Sequence, residues 1–407
     1  MNSKNGWKYI KVSELFDEVS EKNHPDADVL TIIQGVGTVL RTDSGRDILY
    51  DKNSLSNYKF VKKGDFIIHL RSFEGGLEIA NQDGIVSPAY IILRPKLPTA
   101  TNYLYTVFHS NRFINQTMAP AVEGVRDGRS VKYEVLKERS IPFPPLAEQE
   151  KIAQILTKQD EVISLKEKLL EQKQQQKKWL MQKLLEVPHE NSECTEKLSI
   201  NNVVINKIRW RKEKLGNIGV FSKGAGIKRE EANSGDIPAI RYGEIYTTHN
   251  EYIKTFFSFI SEKVAQQSRA LKNGDLLFSC SGETKEDIGK CVAFLFDCRA
   301  YAGGDIIIFS PNINCDSKFL GFLLNSPIVC KQRYGFAQGD SIVHISAESL
   351  GKISFFLPTL PEQKIIAQVL SAADKEIDLL KQEIEFQKQK KKALAQQLLF
   401  GKARVKT

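Results

Sequence analysis

Two segments of the chain carry the same pattern of apolar and polar positions. Residues 148–185 and 362–399 contain no glycine and no proline, and both are rich in Glu, Gln, Lys, Leu and Ile, which are good helix formers. In each segment apolar residues return at close to heptad spacing, with one polar interruption. The pattern predicts two helices with an apolar stripe along one face, formed by Ile152, Leu156, Ile163, Leu170, Leu180 and Leu184 in the first and by Ile366, Leu370, Ile377, Ile384, Leu394 and Leu398 in the second.

The two segments are copies of one another. Shifting the chain by 214 positions aligns residues 146–185 with 360–399, and 18 of these 40 positions are identical. This spacing exceeds the ~20–50 residues of a solenoid repeat, so the repeated unit has the size of a domain. Each helix would be a rod of about 57 Å whose stripe needs a cover. We expect the other copy to provide it, in an antiparallel intramolecular coiled coil with a pseudo-twofold axis; the alternative is that each helix packs only on its own globular half.

The ends of the predicted helices carry start and stop signals. Thr359 and Glu362 fit a capping box, and Gly401 is a favourable residue just past a helix end. In the first copy Pro145 stands where the second has Thr359, so its cap must differ. The first helix should end before Pro188.

Each predicted helix follows a half of mixed character. Short apolar runs between turn signals predict β-strands, and two longer runs predict helices. The halves resemble each other weakly: Trp7 and Trp210 each open one, and residues 62–70 resemble 272–280, whereas the loops differ. The predicted class is mixed α+β. Strands are expected within 29–37, 65–70, 84–95, 275–282, 290–296 and 305–311, helices within 101–116 and 316–326, and a polar linker at 186–206.

Composition fits a globular protein with a basic surface. Apolar residues make up 41% of the chain and charged residues 26%, and no apolar run approaches the ~18 residues of a membrane span. The N-terminal residues lack the apolar core of a signal peptide, so a cytoplasmic protein is expected. The net charge of +9 permits a polyanionic partner without proving one.

Catalytic motifs are largely missing from the sequence. There is no P-loop, since residues 282–291 have the wrong spacing, and no dinucleotide-binding glycine pattern, since residues 35–45 lack the third glycine in register and residues 223–228 are too short. The Asn/Asp-Pro-Pro-aromatic loop of amino-methyltransferases, the acidic cluster of nucleases and HExxH are also absent. The six histidines are scattered and the six cysteines form no CxxC pair, so the thiols are expected to be structural. No catalytic residue and no metal site is predicted.

What remains is recognition by basic and polar loops. Arginine, lysine and glutamine beside tyrosine and glycine in turn-rich stretches suit contacts to base edges and phosphates, although a solvated surface would look the same. The candidate DNA-binding residues are Arg71, Arg126, Arg129 and Lys132 in the first half, and Lys223, Lys228, Arg229, Arg241, Tyr242, Arg333, Gln338 and His344 in the second.

The duplicated motif resembles that of a known family. Residues 146–156 and 360–370 both match Leu-x-Glu-Gln-x-x-Ile-Ala-Gln-(Ile/Val)-Leu, and each copy closes a half that opens on tryptophan. With the Gly-Asp turns at 64–65 and 274–275, the whole chain resembles the specificity subunit of type I restriction–modification systems. One departure is Ala147, which stands where the second copy has the commoner Pro361.

The resemblance implies a domain order and a function. Target-recognition domains would occupy residues 1–145 and 208–358, spacer helices 146–187 and 359–407, and a linker 188–207. Each domain would read one part of an interrupted DNA target. The helices would set the spacing and dock two methyltransferase subunits that methylate adenine. Those subunits would use S-adenosylmethionine, and motor–nuclease restriction subunits would use ATP and Mg²⁺, whereas this chain would need no cofactor.

Two other functions remain open from the sequence. The chain could be a fused DNA methyltransferase and restriction enzyme, against which the missing Pro-Pro-aromatic loop speaks. It could also be a stand-alone tandem DNA-binding regulator, which should bind its site tightly without partner subunits.

Overall fold

The computed structural model describes residues 7–45, 52–186, 197–200, 203–206, 210–282, 288–336 and 343–406. The chain forms two compact units: unit 1 comprises Met1–Glu167 with Gln382–Thr407, and unit 2 comprises Lys168–Lys381. Each unit therefore contains one globular half and a piece of both long helices.

Two long helices and several short ones occupy the described residues. The two long ones coincide with the duplicated segments. The helices are α1 (Val12–Leu15), α2 (Ser72–Gly75), α3 (Thr101–Phe108), α4 (Tyr133–Leu136), α5 (Leu146–Leu185), α6 (Tyr242–Thr247), α7 (Glu262–Ala265), α8 (Ser317–Leu324), α9 (Pro327–Phe336), α10 (Ala347–Gly351) and α11 (Leu360–Leu398).

The strands of unit 1 form small, mainly antiparallel sheets. A four-stranded sheet has the order β2-β9-β6-β7, and two-stranded sheets pair β1 with β12, β3 with β4, β5 with β8 and β10 with β11. The strands are β1 (Lys8–Lys11), β2 (Phe16–Val19), β3 (Leu30–Ile33), β4 (Gly37–Leu40), β5 (Lys59–Val61), β6 (Phe66–Ile68), β7 (Glu78–Ile79), β8 (Gly84–Val86), β9 (Ile91–Pro95), β10 (Val122–Glu123), β11 (Ser130–Val131) and β12 (Ser140–Phe143).

Unit 2 repeats this skeleton and adds to it. Its sheet β16-β24-β20-β22 corresponds to β2-β9-β6-β7, and β15 pairs with β26 as β1 pairs with β12. The second four-stranded sheet, β18-β17-β23-β19, corresponds to β4-β3-β8-β5 of unit 1, where a parallel bridge between Val29 and Ile85 joins the two pairs, and the hairpin β13-β14 is an addition of unit 2. The strands are β13 (Lys197–Ile200), β14 (Val203–Asn206), β15 (Arg211–Lys214), β16 (Gly219–Lys223), β17 (Ile237–Ile240), β18 (Ser258–Ile260), β19 (Arg269–Ala270), β20 (Leu276–Ser279), β21 (Ser281–Gly282), β22 (Cys291–Ala293), β23 (Tyr301–Ala302), β24 (Ile306–Pro311), β25 (Val343–His344) and β26 (Ser354–Leu357).

The Gly-Asp turns lead into the equivalent strands β6 and β20. Gly64 and Gly274 have φ of 95° and 94°, in the left-handed region that glycine tolerates best. The carboxylate of Asp65 then accepts the Lys62 N–H at 2.9 Å, and Asp275 accepts the equivalent N–H in unit 2 at 2.8 Å. Every region predicted as strand or helix contains one, and the mixed α+β class is confirmed.

The segment predicted as a linker is partly structured. Strands β13 and β14 lie within residues 186–206 and pair as an antiparallel hairpin. Ile205 is 1% exposed and belongs to the core of unit 2. An apolar residue in a polar stretch can thus anchor the segment to a globular core, which composition alone does not predict.

In unit 1, α5 and α11 lie side by side in opposite directions. The Nζ of Lys166 is 2.7 Å from the carboxylate of Glu383, and Asp160 pairs with Lys391. Residue numbers rise along one helix as they fall along the other. The predicted antiparallel coiled coil is confirmed.

The same pairing recurs in unit 2 with more burial. The Nζ of Lys177 lies 2.6 Å from the carboxylate of Asp374 and 2.6 Å from that of Glu251 in the globular half. Lys177 and Asp374 are the repeat equivalents of Lys391 and Asp160, since both pairs of positions differ by 214. The aspartate of each copy therefore binds the lysine of the other copy.

The apolar stripe is covered from two sides. Ile152, Leu156 and Leu398 join the core of unit 1, and Leu394 packs against it. Leu180, Leu184, Ile366 and Leu370 join the core of unit 2. Between these ends, Ile163, Ile377 and Ile384 are buried and Leu170 is half-buried. Because the end of α11 enters the core of the first half, the alternative in which each helix packs only on its own half is wrong.

The repeated Gln of the motif joins each long helix to its globular half. The amide of Gln149 donates to the Pro144 carbonyl at 2.8 Å and accepts the N–H of Ala100, the N-cap of α3, at 3.1 Å. In unit 2, Gln363 makes the same two bonds, donating at 2.9 Å to Pro358 and accepting at 2.9 Å from the N-cap of α8. Both side chains are almost fully buried. The glutamine of the duplicated motif therefore makes the same contact between long helix and globular half in both units.

The repeated Glu, in contrast, acts differently in the two copies. Glu362 accepts from the backbone N–H of Thr359 at 3.1 Å, as in a capping box, and also from the Thr359 hydroxyl. Glu148 instead binds the Trp7 indole N–H at 2.8 Å and the guanidinium of Arg404. Gly401, with φ of 66°, follows the end of α11 in the predicted left-handed conformation.

The first prediction concerns the two equivalent lysines. Replacing Lys177 by methionine should lower the free energy of unfolding by about 3–5 kcal/mol, because two buried carboxylates lose their cation. Replacing Lys391 in the same way should cost at most about 1 kcal/mol, because its pair with Asp160 is solvated. Urea unfolding of both variants measures the difference; equal losses would contradict the assignment.

A buried histidine in unit 2 links stability to pH. The ring of His249 is 4% exposed, and its Nε2 has no hydrogen-bond partner among the described residues. Burial lowers the pKa of His249; the Glu244 carboxylate opposes this shift and Lys290 adds to it. The folded chain therefore binds fewer protons than the unfolded chain below the ordinary histidine pKa of about 6.5.

The second prediction follows from the lowered pKa of His249. The stability that His249 contributes is fully present above pH about 6.5 and is lost as pH falls through its lowered folded pKa, at up to about 1.4 kcal/mol per pH unit. His249→Gln should flatten the acid side of the curve of melting temperature against pH. The matched control is His344→Gln, which makes the same substitution at an exposed ring. An unchanged slope in His249→Gln would contradict the prediction.

Candidate nucleic-acid interface

In unit 1, three candidate residues lie on one hairpin. Strands β10 and β11 pair through Val122 with Val131, and the connecting loop carries Arg126 and Arg129. Arg126 has φ of 52°, and its carbonyl accepts a bond from Nε of Arg129 at 3.2 Å. Lys132 follows β11 and pairs with Glu123 across the hairpin.

A stacked arginine joins this hairpin to the fourth candidate. The guanidinium of Arg129 lies 4.5 Å above the ring centre of Phe73, and one of its amino groups is 4.0 Å from Glu74. Both partners belong to α2, which begins directly after the exposed Arg71. The structure thus brings Arg71 and Arg129 into one surface patch, formed by α2 and the β10–β11 loop.

A buried carboxylate supports the neighbouring turn. Glu78 is fully buried and accepts the N–H of Gly35 at 2.7 Å, with its other bonds coming from His109 at 3.0 Å and the Tyr105 hydroxyl at 3.4 Å. Burial alone would raise the pKa of Glu78, but the bonds from His109 and Gly35 hold it below its usual range. Sequence reasoning missed this residue, although a lone acid between apolar residues is a usable signal.

Three candidates of unit 2 line one cleft. Arg229, Arg241 and Tyr242 surround a volume of 500 Å³, with Phe257 among the other lining residues. Arg241 is the N-cap residue of α6 and follows β17 directly. A strand end and a helix start therefore place this arginine at the cleft.

The anchors of Arg241 were not predicted. Its Nε–H is shared between the Glu244 carboxylate at 3.2 Å and the Ser258 hydroxyl at 3.0 Å. Ser258 also donates to Glu244, and both side chains are buried. The three-residue spacing of Arg241 and Glu244 was visible in the sequence, but the position of Ser258 on β18 depends on the tertiary fold.

Two further candidates line a second cleft. Lys223 and His344 border a volume of 640 Å³, and Nδ1 of His344 lies 3.1 Å from the Ser281 hydroxyl. Lys228 is exposed near the first cleft, where its backbone N–H bonds to Glu231 at 2.8 Å. The candidate residues of unit 2 therefore lie at more than one cleft.

The structure corrects the prediction made for Arg333. Its side chain is 2% exposed, and its guanidinium donates to the Gly289 carbonyl and to the sulfur of Cys330 at 2.9 Å. A buried arginine with these internal bonds stabilises the core and cannot reach DNA, so its prediction as a DNA contact is wrong. Its position on α9 beside exposed neighbours concealed this orientation. Gln338 lies outside the described residues.

The described residues offer little for metal or membrane chemistry. Among them, no three histidine, cysteine or acidic side chains converge as metal ligands, and no helix is long and apolar enough to cross a bilayer. The described cysteines are free thiols, and burial raises the pKa of Cys315 to about 11. Such a thiol is a poor nucleophile.

The chain is similar to known proteins over nearly its full length. It is 25% identical to the type I restriction enzyme MjaVIII specificity subunit of Methanocaldococcus jannaschii, covering 98% of this chain and 93% of that protein. Its fold is similar to that of the HsdS subunit from Thermoanaerobacter tengcongensis, with a TM-score of 0.54, 16% identity and 99% of both chains covered. A chain from a structural study of complex assembly and conformational transition of the type I R-M system gives a TM-score of 0.61 at 15% identity, covering 98% of this chain and 99% of that one.

The family assignment rests on the two halves separately. The family model described as the type I restriction modification DNA specificity domain matches residues 4–174 and again residues 207–386. Each match contains one globular half and much of the long helix that follows it. The chain therefore belongs to the type I restriction modification DNA specificity domain family.

Proposed function

We propose that this chain is the DNA sequence-specificity subunit of a type I restriction–modification complex and that each globular half reads one part of an interrupted target. The observation that carries the proposal is one strand skeleton repeated with different cation-bearing loops. In unit 1 the arginines lie on the β10–β11 hairpin beside α2, and in unit 2 they line a cleft next to α6. A shared skeleton with divergent loops suits two modules that bind the same polymer at different sequences.

The long helices would fix the distance between the two half-sites. A helix of the 40 residues of α5 is about 60 Å long, which compares with ~34–36 Å for one turn of DNA. Ion pairs and buried stripe residues hold α5 and α11 against each other within each unit. The partners would be double-stranded DNA, two methyltransferase subunits docked on the helices, and restriction subunits with motor and nuclease activity.

The partner subunits would then carry out the catalysis. The methyltransferase subunits would bind S-adenosylmethionine and methylate adenine, and the restriction subunits would use ATP and Mg²⁺. This chain would contribute recognition without catalysis and without a cofactor of its own. Its place of action would be the cytoplasm, where the chromosome lies.

The third prediction concerns modularity. Replacing residues 209–357 by the corresponding segment of a relative should change one half of the methylated motif and leave the other half and the spacer length unchanged, because α5 and α11 are retained. Methylome sequencing of cells that carry the hybrid with its methyltransferase measures this. Alteration of both half-sites would sink the model of one reader per half.

The fourth prediction concerns catalysis. The purified chain with S-adenosylmethionine and DNA should transfer no methyl group, whereas addition of the methyltransferase subunit should start transfer at the bipartite site. Radiolabelled methyl incorporation is the measurement. Transfer by the chain alone would favour the fused enzyme instead, and tight sequence-specific binding without any partner would favour a stand-alone regulator.

A further inference from the structure

We propose that Arg241 reads a guanine in the half-site recognised by the second globular half, and that Glu244 and Ser258 are its positioning residues. The inference rests on the proposed function and deepens it, because it names the base that one side chain would recognise. It starts from the cleft that Arg241 lines with Arg229 and Tyr242.

The geometry fixes one side of the guanidinium and leaves the other available. Nε of Arg241 is held by the Glu244 carboxylate at 3.2 Å and by the Ser258 hydroxyl at 3.0 Å. The side chain is about one-third exposed at the cleft, and its two terminal amino groups have no hydrogen-bond partner among the described residues. Those amino groups can donate two parallel bonds to a ligand with two acceptors in one plane.

Guanine presents that arrangement in the major groove. Its N7 and O6 both accept hydrogen bonds, and a bidentate arginine is the commonest base-specific contact in protein–DNA complexes. A guanidinium whose Nε is anchored keeps its plane fixed, which a planar base edge requires. A flexible lysine could not offer the same fork.

Charge favours a base edge over a phosphate at this position. Glu244 is buried and paired with Arg241, so the two side chains together are close to neutral. A phosphate gains most from an uncompensated cation, whereas the neutral guanine edge depends on the direction of the donors. The exposed Arg229 on the same cleft and Lys228 beside it are better placed to attract the DNA backbone.

The wall of the cleft is built from tightly constrained backbone. Ile227 lines it with φ of 57°, a left-handed conformation that is rare for a β-branched residue. Its side chain is nevertheless buried in a cluster with Ala239 and Ile260. A Cβ on Gly224 would lie 2.0 Å from the carbonyl oxygen of Gly303, so this close approach requires glycine at position 224. Strain held in place by packing is typical of ligand-binding sites.

The fifth prediction is a change at one base. In cells carrying the full chain with its methyltransferase, the wild-type motif should contain a guanine in the half-site of the second domain. Arg241→Ala should lower the preference for guanine at that position by roughly 5- to 150-fold and leave the other positions unchanged. Arg241→Lys should keep part of the preference, and Glu244→Gln combined with Ser258→Ala should relax the same position more weakly.

A second arginine provides the matched control. Arg299 lies in the same half, but both of its terminal amino groups already bind Glu262, at 2.8 and 2.6 Å. Arg299→Ala should leave the motif intact. Melting temperatures of all variants show whether they are folded, and Arg241→Lys, which keeps the charge beside Glu244, carries the test if Arg241→Ala does not accumulate.

Each remaining outcome is decisive. A half-site without guanine, or an unchanged motif in folded Arg241→Ala, overturns the inference and leaves the proposed function standing. A uniform loss of methylation at all sites, with no base relaxed, assigns Arg241 to a phosphate or to structure and also overturns it. If the wild-type chain directs methylation to no bipartite motif, the proposed function itself fails.

Discussion

The pairing of α5 with α11 is the interaction on which the other features depend. A long helix with an apolar stripe is unstable alone, and here each stripe is covered by its own copy and by a globular core. The identical aspartate and lysine of the repeat meet their counterparts in the opposite helix, Asp160 with Lys391 and Asp374 with Lys177. Because each core takes in segments of both helices, neither half is complete without the other copy's helix.

A second constraint is the contact that joins each long helix to its globular half. Gln149 and Gln363 bridge the proline two residues before the long helix and the N-cap of a short helix in the globular half, with nearly equal distances. A buried amide that makes two backbone bonds tolerates little change, since any replacement would leave buried polar groups unpaired. This accounts for the glutamine appearing in both copies, whereas the glutamate before it has different partners in the two.

With the scaffold fixed, the two halves hold their arginines by different means. Arg129 stacks on Phe73 between two surface segments, whereas Arg241 is tethered through Nε to a buried carboxylate and a hydroxyl. Each device limits the freedom of a long side chain, which would lower the entropy lost on binding DNA. The devices arise on α2 and the β10–β11 hairpin in unit 1, and on α6 and β18 in unit 2. Under the proposed function, divergence of such loops would change recognition without disturbing the spacing.

The sequence by itself determined the features that depend on local pattern. Heptad spacing and the absence of glycine and proline determined both long helices, the 214-residue repeat determined that they are equivalent, and short apolar runs determined the strands. The tertiary structure decided which side chains face solvent and which meet across the chain. Arg333 is buried despite its charge, Ile205 anchors a segment that reads as a polar linker, and Ser258 reaches Glu244 from another strand. The hydrophobic period shows which face of a helix or strand is apolar. It does not show which distant element packs against that face.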